Sequence, residues 1–272
     1  MQTHTTLGTA VITGASSGIG AVYADRLARR GYDLILVARD LGKLDRLAAQ
    51  LQSSTGRRVA AMRADLGVTA DLRAVEALLS NDADITMLVN NAGLGATKSL
   101  VDSTPEELDT LINVNVLALT RLTRAAAPAM VARGKGKIVN ISSIAALAPE
   151  LLNGTYGGTK AFVLALTQSL HHEIGAKGVQ VQAVLPGAVA TAFWDRAGLA
   201  VSNLPDAIVM TPDDLVDAAL SGLDQGELVT LPSLPDAGQW ETLNAARLAL
   251  GPNLSHKTPA TRYGDRGAAV AA

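Results

Sequence analysis

The sequence predicts an α/β fold: a single domain on a doubly wound parallel sheet of about seven strands, with helices on both faces. Three observations carry this expectation. Short apolar runs alternate with stretches of helical period from the start of the chain to about residue 231. The 272 residues are 48% hydrophobic but only 3% aromatic, so the interior is aliphatic and Ala/Gly-rich, as in a parallel sheet buried on both faces. The connections between runs are short, which makes successive strands parallel through right-handed crossovers.

Strands are expected at 9–13, 34–38, 59–63, 87–90, 137–141, 180–185 and 228–231. Helical patterns lie between them, near 19–30, 43–51, 71–79, 105–132, 155–176 and 212–223. Thr104, followed by Pro105 and by Glu107 three residues on, has the form of a capping box with proline at the first helical position. Thr211-Pro212-Asp213-Asp214 opens the later helix similarly, with acidic residues at its positive end. Residues 191–205 break the alternation and contain Phe193 and Trp194, half of the four Phe and Trp residues. No linker or internal repeat divides the chain, so one domain is expected over 1–257. The Pro/Gly/Ala-rich residues 258–272 are expected to form a loose tail.

Composition excludes several functions. A net charge of −2, with no long Lys/Arg run, gives no nucleic-acid footprint. The absence of cysteine removes disulfides, thiol catalysis and thiolate-bound metal. His4, His171, His172 and His256 are too few and too dispersed for a zinc site, so no metal is expected. The first residues lack the regions of a signal peptide and no apolar run reaches membrane-span length, so the expected location is cytoplasmic.

Tyr156 and Lys160 lie four apart, on one face of the expected helix. A phenol ionises near pH 10, and an ammonium within roughly 4–6 Å favours its phenolate. Such a pair is suited to general acid/base work, although many are no more than a solvated helix face. Thr13-Gly14-Ala15-Ser16-Ser17-Gly18-Ile19-Gly20 joins the first strand to the first helix. Its glycines permit a tight turn and the approach of a pyrophosphate to the helix N–H groups, with an ordinary glycine-rich turn as the alternative. At the end of the second strand, the place of a ribose-binding carboxylate falls on Ala38, and Arg39 follows. A guanidinium matches a 2′-phosphate, so the expected cofactor is NADP(H) rather than NAD(H), with Ser16 as a helper. The alternative makes Asp40 the ribose ligand. Asn90-Asn91-Ala92-Gly93 closes the fourth strand, and Ser142-Ser143 closes the fifth, thirteen residues before Tyr156.

Together these motifs resemble the classical short-chain dehydrogenase/reductase family over roughly residues 7–235. The resemblance implies a Rossmann-type fold. It further implies Asn115, Ser143, Tyr156 and Lys160 as the catalytic group. Cofactor contacts are implied at Gly14, Ser16, Ser17, Gly18, Ile19, Gly20, Arg39, Asp65, Leu66, Asn91, Ala92, Gly93, Tyr156, Lys160, Pro186, Gly187, Val189 and Thr191. Where family members commonly carry Ala-Ser after the tyrosine, this chain has Gly157 and Gly158 before Thr159.

The implied reaction is hydride transfer between nicotinamide and a small-molecule carbonyl or alcohol. Tyr156 would protonate the alkoxide, Lys160 would lower the tyrosine pKa and bind ribose, Ser143 would hold the oxygen, and Asn115 would keep a relay water. A lid over about 191–205, with Phe193 and Trp194 facing Leu147, Leu151 and Leu152, implies hydrophobic ketones or aldehydes; the alternative makes these two side chains core or subunit contacts. His171 and His172 are given no role. A homotetramer or homodimer is also implied. A nucleotide-dependent epimerase or dehydratase of the wider superfamily is one alternative, although only about forty residues follow the last strand. A non-catalytic NADP-binding protein is another.

Overall fold

The computed structural model describes residues 6–263. His4 and residues 264–272 of the expected tail lie outside them. The first strands and helices alternate as β1 (Thr9–Thr13), α1 (Gly18–Arg29), β2 (Asp33–Ala38), α2 (Leu41–Thr55), β3 (Val59–Arg63), α3 (Thr69–Asn81) and β4 (Ile85–Asn90). The helix expected over 105–132 is built as α4 (Pro105–Ile112), a π-helical stretch over Asn113–Ala118, and α5 (Leu119–Ala132). The expected capping box forms at Thr104 and Glu107. Then come β5 (Gly136–Ile141), α6 (Gly154–Ile174) and β6 (Val179–Val184). After β6 the order is β7 (Ala188–Val189), α7 (Phe193–Ala197), β8 (Val209–Met210), α8 (Pro212–Asp224), β9 (Val229–Thr230) and α9 (Ala237–Ala249).

The main sheet has seven strands in the order β3-β2-β1-β4-β5-β6-β9, and every pairing in it is parallel. The short pair β7–β8, absent from the sequence expectation, lies apart from it.

Alternation along each strand sends successive side chains to opposite faces. Ile12, Leu34, Leu36 and Val89 pack with Leu27 of α1, Leu44 of α2 and Leu220 of α8. Val11, Val37, Leu88 and Ile138 pack on the other face with Val75 of α3, Leu122 of α5 and Ile174 of α6. Strand order reverses between β1 and β4, which places Gly14 and Asn91 side by side at the strands' carboxyl ends, where open α/β sheets bind ligands.

The chain separates into two compact units, Met1–Ser233 and Leu234–Ala272. The sheet and helices α1–α8 lie in the first. The second contains α9, and none of its described residues is buried. This division falls before residue 257, where composition placed the domain's end.

Candidate active site

The carboxyl ends of the strands enclose a cavity of about 960 Å³. At one end the β1–α1 turn is held in shape by its glycines. Gly14 and Gly18 have φ of +65° and +55°, which disfavour a side chain. A Cβ on Gly20 would press on Gly14 O and come within 2.6 Å of Asn91 Nδ2. Gly20 is therefore the close-packing glycine behind the turn, and it is not in the cavity wall, contrary to its expected contact with cofactor. Asn91 Nδ2 donates to Thr13 O at 2.9 Å and Gly14 O at 3.2 Å, tying the two motifs together. Ser17, the N-cap of α1, makes no side-chain cap bond, so it does not take up the N–H groups of the helix's first turn.

Gly14, Ser16, Ser17, Gly18, Ile19, Arg39, Asp65, Leu66, Asn91, Ala92, Gly93, Pro186, Gly187, Val189 and Thr191 all line this cavity, as do Ser143, Tyr156 and Lys160. Asp40 and Lys43, which lie next along the chain from Arg39, belong to the same wall. Asp40 caps α2: its Oδ1 accepts from Lys43 N at 3.0 Å, and its other oxygen lies 3.5 Å from Lys43 Nζ. Arg39 is exposed and has no carboxylate within ion-pair distance among the described residues.

At the other end, α6 starts at Asn153, whose Oδ1 accepts from Thr155 N at 2.8 Å and Tyr156 N at 3.2 Å. Asn153 Nδ2 also donates to Lys98 O, joining the catalytic helix to the loop after β4. This anchor was not anticipated, although an Asn directly before a helix is an N-cap signal. The paired glycines do not interrupt the helix. A Cβ on Gly157 would lie 3.2 Å from Pro149 Cα, whereas one on Gly158 would meet nothing within 4 Å. Gly157 makes room for the 3-10 turn Pro149–Leu151, and Gly158 faces open space.

Tyr156 is buried, and burial pushes its phenol up to about 12 while the Ser143 hydroxyl pulls it down. Ser143 Oγ accepts from Ala145 N at 3.1 Å. Lys160 Nζ donates to Ile141 O at 3.0 Å and lies 5.7 Å from the Tyr156 ring centroid. Burial draws this ammonium down to about 8. Burial is the largest influence on the phenol and only Ser143 opposes it, so no lowering of the tyrosine by its lysine is seen here.

Asn115 sits in the π-helical stretch and is buried, but it does not line the cavity. Its Oδ1 accepts from Leu94 N at 2.8 Å, and its Nδ2 donates to Leu94 O at 2.9 Å and Thr159 Oγ1 at 3.1 Å. The side chain acts as a brace between the loop after Gly93 and the catalytic helix. A Cβ on Gly93 would lie 3.4 Å from Asn115 Oδ1 and 3.5 Å from Lys160 Nζ, in ordinary contact with both.

The wall beyond Tyr156 is largely apolar, with Leu151, Leu152, Phe193, Leu199, Leu204 and Ile208, and Arg196 of α7 also lines the cavity. Leu147, expected to join it, is outside the lining. Trp194 is buried and its Nε1 donates to Val189 O at 3.0 Å, which makes it an anchor of the 191–205 segment. His171 and His172 are exposed near the far end of α6. No described helix is long and apolar enough to cross a membrane, and no described cluster of His, Asp and Glu is suited to a metal.

A turn of glycines facing helix N–H groups, a cation after β2 and a buried Ser-Tyr-Lys group on one cavity fit a nicotinamide dinucleotide and a carbonyl substrate. The chain belongs to the short-chain dehydrogenase/reductase family: the family model for short chain dehydrogenase matches residues 8–200. It is an oxidoreductase acting on CH–OH and C=O groups with a nicotinamide cofactor. It is 51% identical to a short-chain dehydrogenase from Sphingobium yanoikuyae solved in complex with NADPH, covering 94% of this chain and 100% of that one, with a TM-score of 0.92. A bulky-bulky ketone specific alcohol dehydrogenase from Comamonas testosteroni is 46% identical, with 95% and 99% covered and a TM-score of 0.88. Human 17-beta-hydroxysteroid dehydrogenase type 3 is 36% identical over 214 residues, 78% of this chain and 67% of that protein.

Proposed function

We propose that this protein is an NADP(H)-dependent reductase of hydrophobic, bulky ketones or aldehydes. The observation that carries this reading is a single cavity with a free Arg39 at one end and Tyr156 beneath an apolar wall at the other. Asp40 is spent on capping α2, which argues against its serving as the ribose ligand of NAD(H) and leaves Arg39 and Lys43 for a 2′-phosphate. The Gly14–Ile19 turn, Asp65, Leu66, Asn91–Gly93, Pro186, Gly187, Val189 and Thr191 would hold the rest of the cofactor. When bound, the nicotinamide supplies or accepts the hydride.

The chain's own groups manage the oxygen. A phenol raised to about 12 remains protonated at neutrality and is an acid ready to donate to an alkoxide. Ser143, whose hydroxyl pulls that phenol's pKa down, is placed to steady the same oxygen. Lys160 remains largely protonated at pH 7 with its value near 8, and gives the buried site a positive charge that favours the developing anion. Asn115 and Asn153 are positioning residues. The ketone specificity of the Comamonas testosteroni relative supports a bulky substrate. Exposed Phe162 on α6, with Ile112 and Leu117 on the preceding helices, supports a homodimer or homotetramer.

The test is a carbonyl panel assayed in parallel with NADPH and NADH. Diaryl and aryl-alkyl ketones are expected to turn over with NADPH and to be slow with NADH. Tyr156→Phe is expected to bind NADPH normally while losing about 10²–10⁴ in kcat. Retention of most activity by that variant would sink the proposed role of Tyr156, and equal rates with NADH would remove the cofactor preference.

A further inference from the structure

The loop after β4 contains a glycine that its backbone does not require. Gly95 is outside the left-handed region, unlike Gly14 and Gly18, so an alanine there carries no backbone strain. Its missing side chain is explained by a neighbour. A Cβ on Gly95 would lie 2.8 Å from Phe193 Cε1, 2.9 Å from Cε2 and closer still to Cζ. The Phe193 ring therefore rests on the bare α-carbon of Gly95. Phe193 lines the cavity and Gly95 does not, so the ring stands between the loop and the substrate space.

That ring has close aromatic neighbours, and the backbone on either side of it is hydrogen-bonded. Its centroid is 6.0 Å from that of Tyr156, and it meets Trp194 edge-on at 5.6 Å and 88°. Trp194 is held by Val189 O, Phe193 N donates to Thr191 Oγ1 at 3.3 Å, and Thr97 Oγ1, two residues beyond Gly95, donates to Ala197 O at the end of α7. On the loop side, Asn115 fixes both backbone groups of Leu94. The loop and α7 are thus pinned on either side of the ring, and the ring is the part free to yield.

We propose that Gly95 is a positioning residue that sets the size of ketone accepted beside Tyr156, by seating Phe193 back against the loop. The proposal rests on the carbonyl-reduction reading above. A methyl at position 95 meets the far end of the ring, so the fold is kept and the ring is driven into the cavity, over the approach to Tyr156. The space lost is that of a bulky group flanking the carbonyl; a small substituent still fits.

Calorimetric dissociation constants for benzophenone and cyclopentanone, measured on the protein with NADP+ where no turnover occurs, test this in wild type, Gly95→Ala, Phe193→Ala and the double variant. Gly95→Ala is expected to lower the affinity ratio of benzophenone to cyclopentanone by about tenfold or more, the scale on which a pocket discriminates a misplaced methylene. In the Phe193→Ala background the same change is expected to alter that ratio by less than about twofold, since the ring it displaces is gone. Trp194 emission should shift in Gly95→Ala with the melting temperature retained. The proposal is overturned by equal weakening of both ketones, by persistence of the Gly95→Ala effect without Phe193, or by a wild-type protein that binds no benzophenone. Should Gly95→Ala not fold, Phe193→Ala alone decides: an unchanged ratio for benzophenone over cyclopentanone overturns it. Size-dependent binding without NADPH-dependent turnover would instead overturn the reduction reading alone.

Discussion

Lys160 Nζ points at Ile141 O, 3.0 Å away, while lying 5.7 Å from the ring centroid of Tyr156, so the catalytic cation is anchored to the end of β5. An ammonium buried with one carbonyl partner is held at a cost in stability, and burial accordingly draws its pKa from 10.5 to about 8.

That cost predicts an opposition between activity and stability. A drop from 10.5 to about 8 corresponds to about 3 kcal/mol, of which roughly 1 kcal/mol returns if the hydrogen bond to Ile141 O is lost. Lys160→Met is expected to abolish turnover and to raise the melting temperature by about 4–8 °C at pH 7. The sign of the pH dependence follows. Below pH 8 both folded and unfolded lysine are charged and the penalty is present in full. Between about 8 and 10.5 the unfolded chain holds the extra proton, so wild-type stability rises with pH and the advantage of Lys160→Met shrinks. Melting curves of both proteins between pH 6.5 and 9.5 check this, below the range in which Tyr156, raised to about 12, contributes the opposite slope.

At the other end of the cavity, Arg39 and Asp40 are adjacent in sequence but have separate work. Arg39→Ala is expected to reduce kcat/KM with NADPH by about tenfold or more, with little change for NADH, because only the phosphate-bearing cofactor loses a charge-assisted partner. Asp40→Ala removes the cap of α2 and is expected to lower the melting temperature without altering the NADPH-to-NADH ratio. A collapse of NADH activity in Asp40→Ala would mean that the carboxylate binds ribose after all.

The division between what the sequence made legible and what it did not follows from physical range. The strands, the capping box at Thr104 and the glycine turn at Gly14 are local, and each leaves its period or spacing in consecutive residues. The placing of Ser143, Tyr156 and Lys160 on one cavity could be anticipated because fixed motifs close successive parallel strands. What was not anticipated leaves no period or spacing in consecutive residues. Asn115, expected to keep a relay water, is seen to brace Leu94, 21 residues away. Trp194 is tied to Val189 O within its own segment, a bond that its place in the sequence does not signal. The π-helical stretch at Asn113–Ala118 breaks a helix whose sequence pattern runs on unbroken.

Asn153 makes such a long-range role measurable. Its Oδ1 caps α6 at Tyr156 N while its Nδ2 reaches Lys98 O, 55 residues away in sequence. Asn153→Ala is expected to lower stability by about 1–2 kcal/mol and to reduce kcat more than the affinity for NADPH, since the first turn carrying Tyr156 frays. Asn153→Asp keeps the acceptor and loses the donor. Recovery of stability but not of kcat in that variant would assign the loop tie to positioning, and recovery of neither would show that the amide donor dominates.

The two glycines inside the Tyr156–Lys160 interval should part company. Each costs a helix about 1 kcal/mol relative to alanine, so intrinsic propensity predicts a gain at both. At Gly158 the added methyl meets nothing within 4 Å, and Gly158→Ala is expected to realise most of that gain as a rise of about 2–4 °C in melting temperature. At Gly157 the methyl would lie 3.2 Å from Pro149 Cα and 3.4 Å from Ala145 O, atoms of a turn that cannot rotate away. Gly157→Ala must push Pro149–Leu151 from the helix, moving the wall that carries Leu151 and Leu152, so the strain cancels the propensity gain or exceeds it. Thermal melts together with KM for a bulky ketone separate the cases: Gly158→Ala is expected to shift only the melt, whereas Gly157→Ala is expected to raise KM with no stabilisation. A Gly157→Ala protein stabilised as much as Gly158→Ala would mean that the turn yields freely and that Gly157 is not required for space.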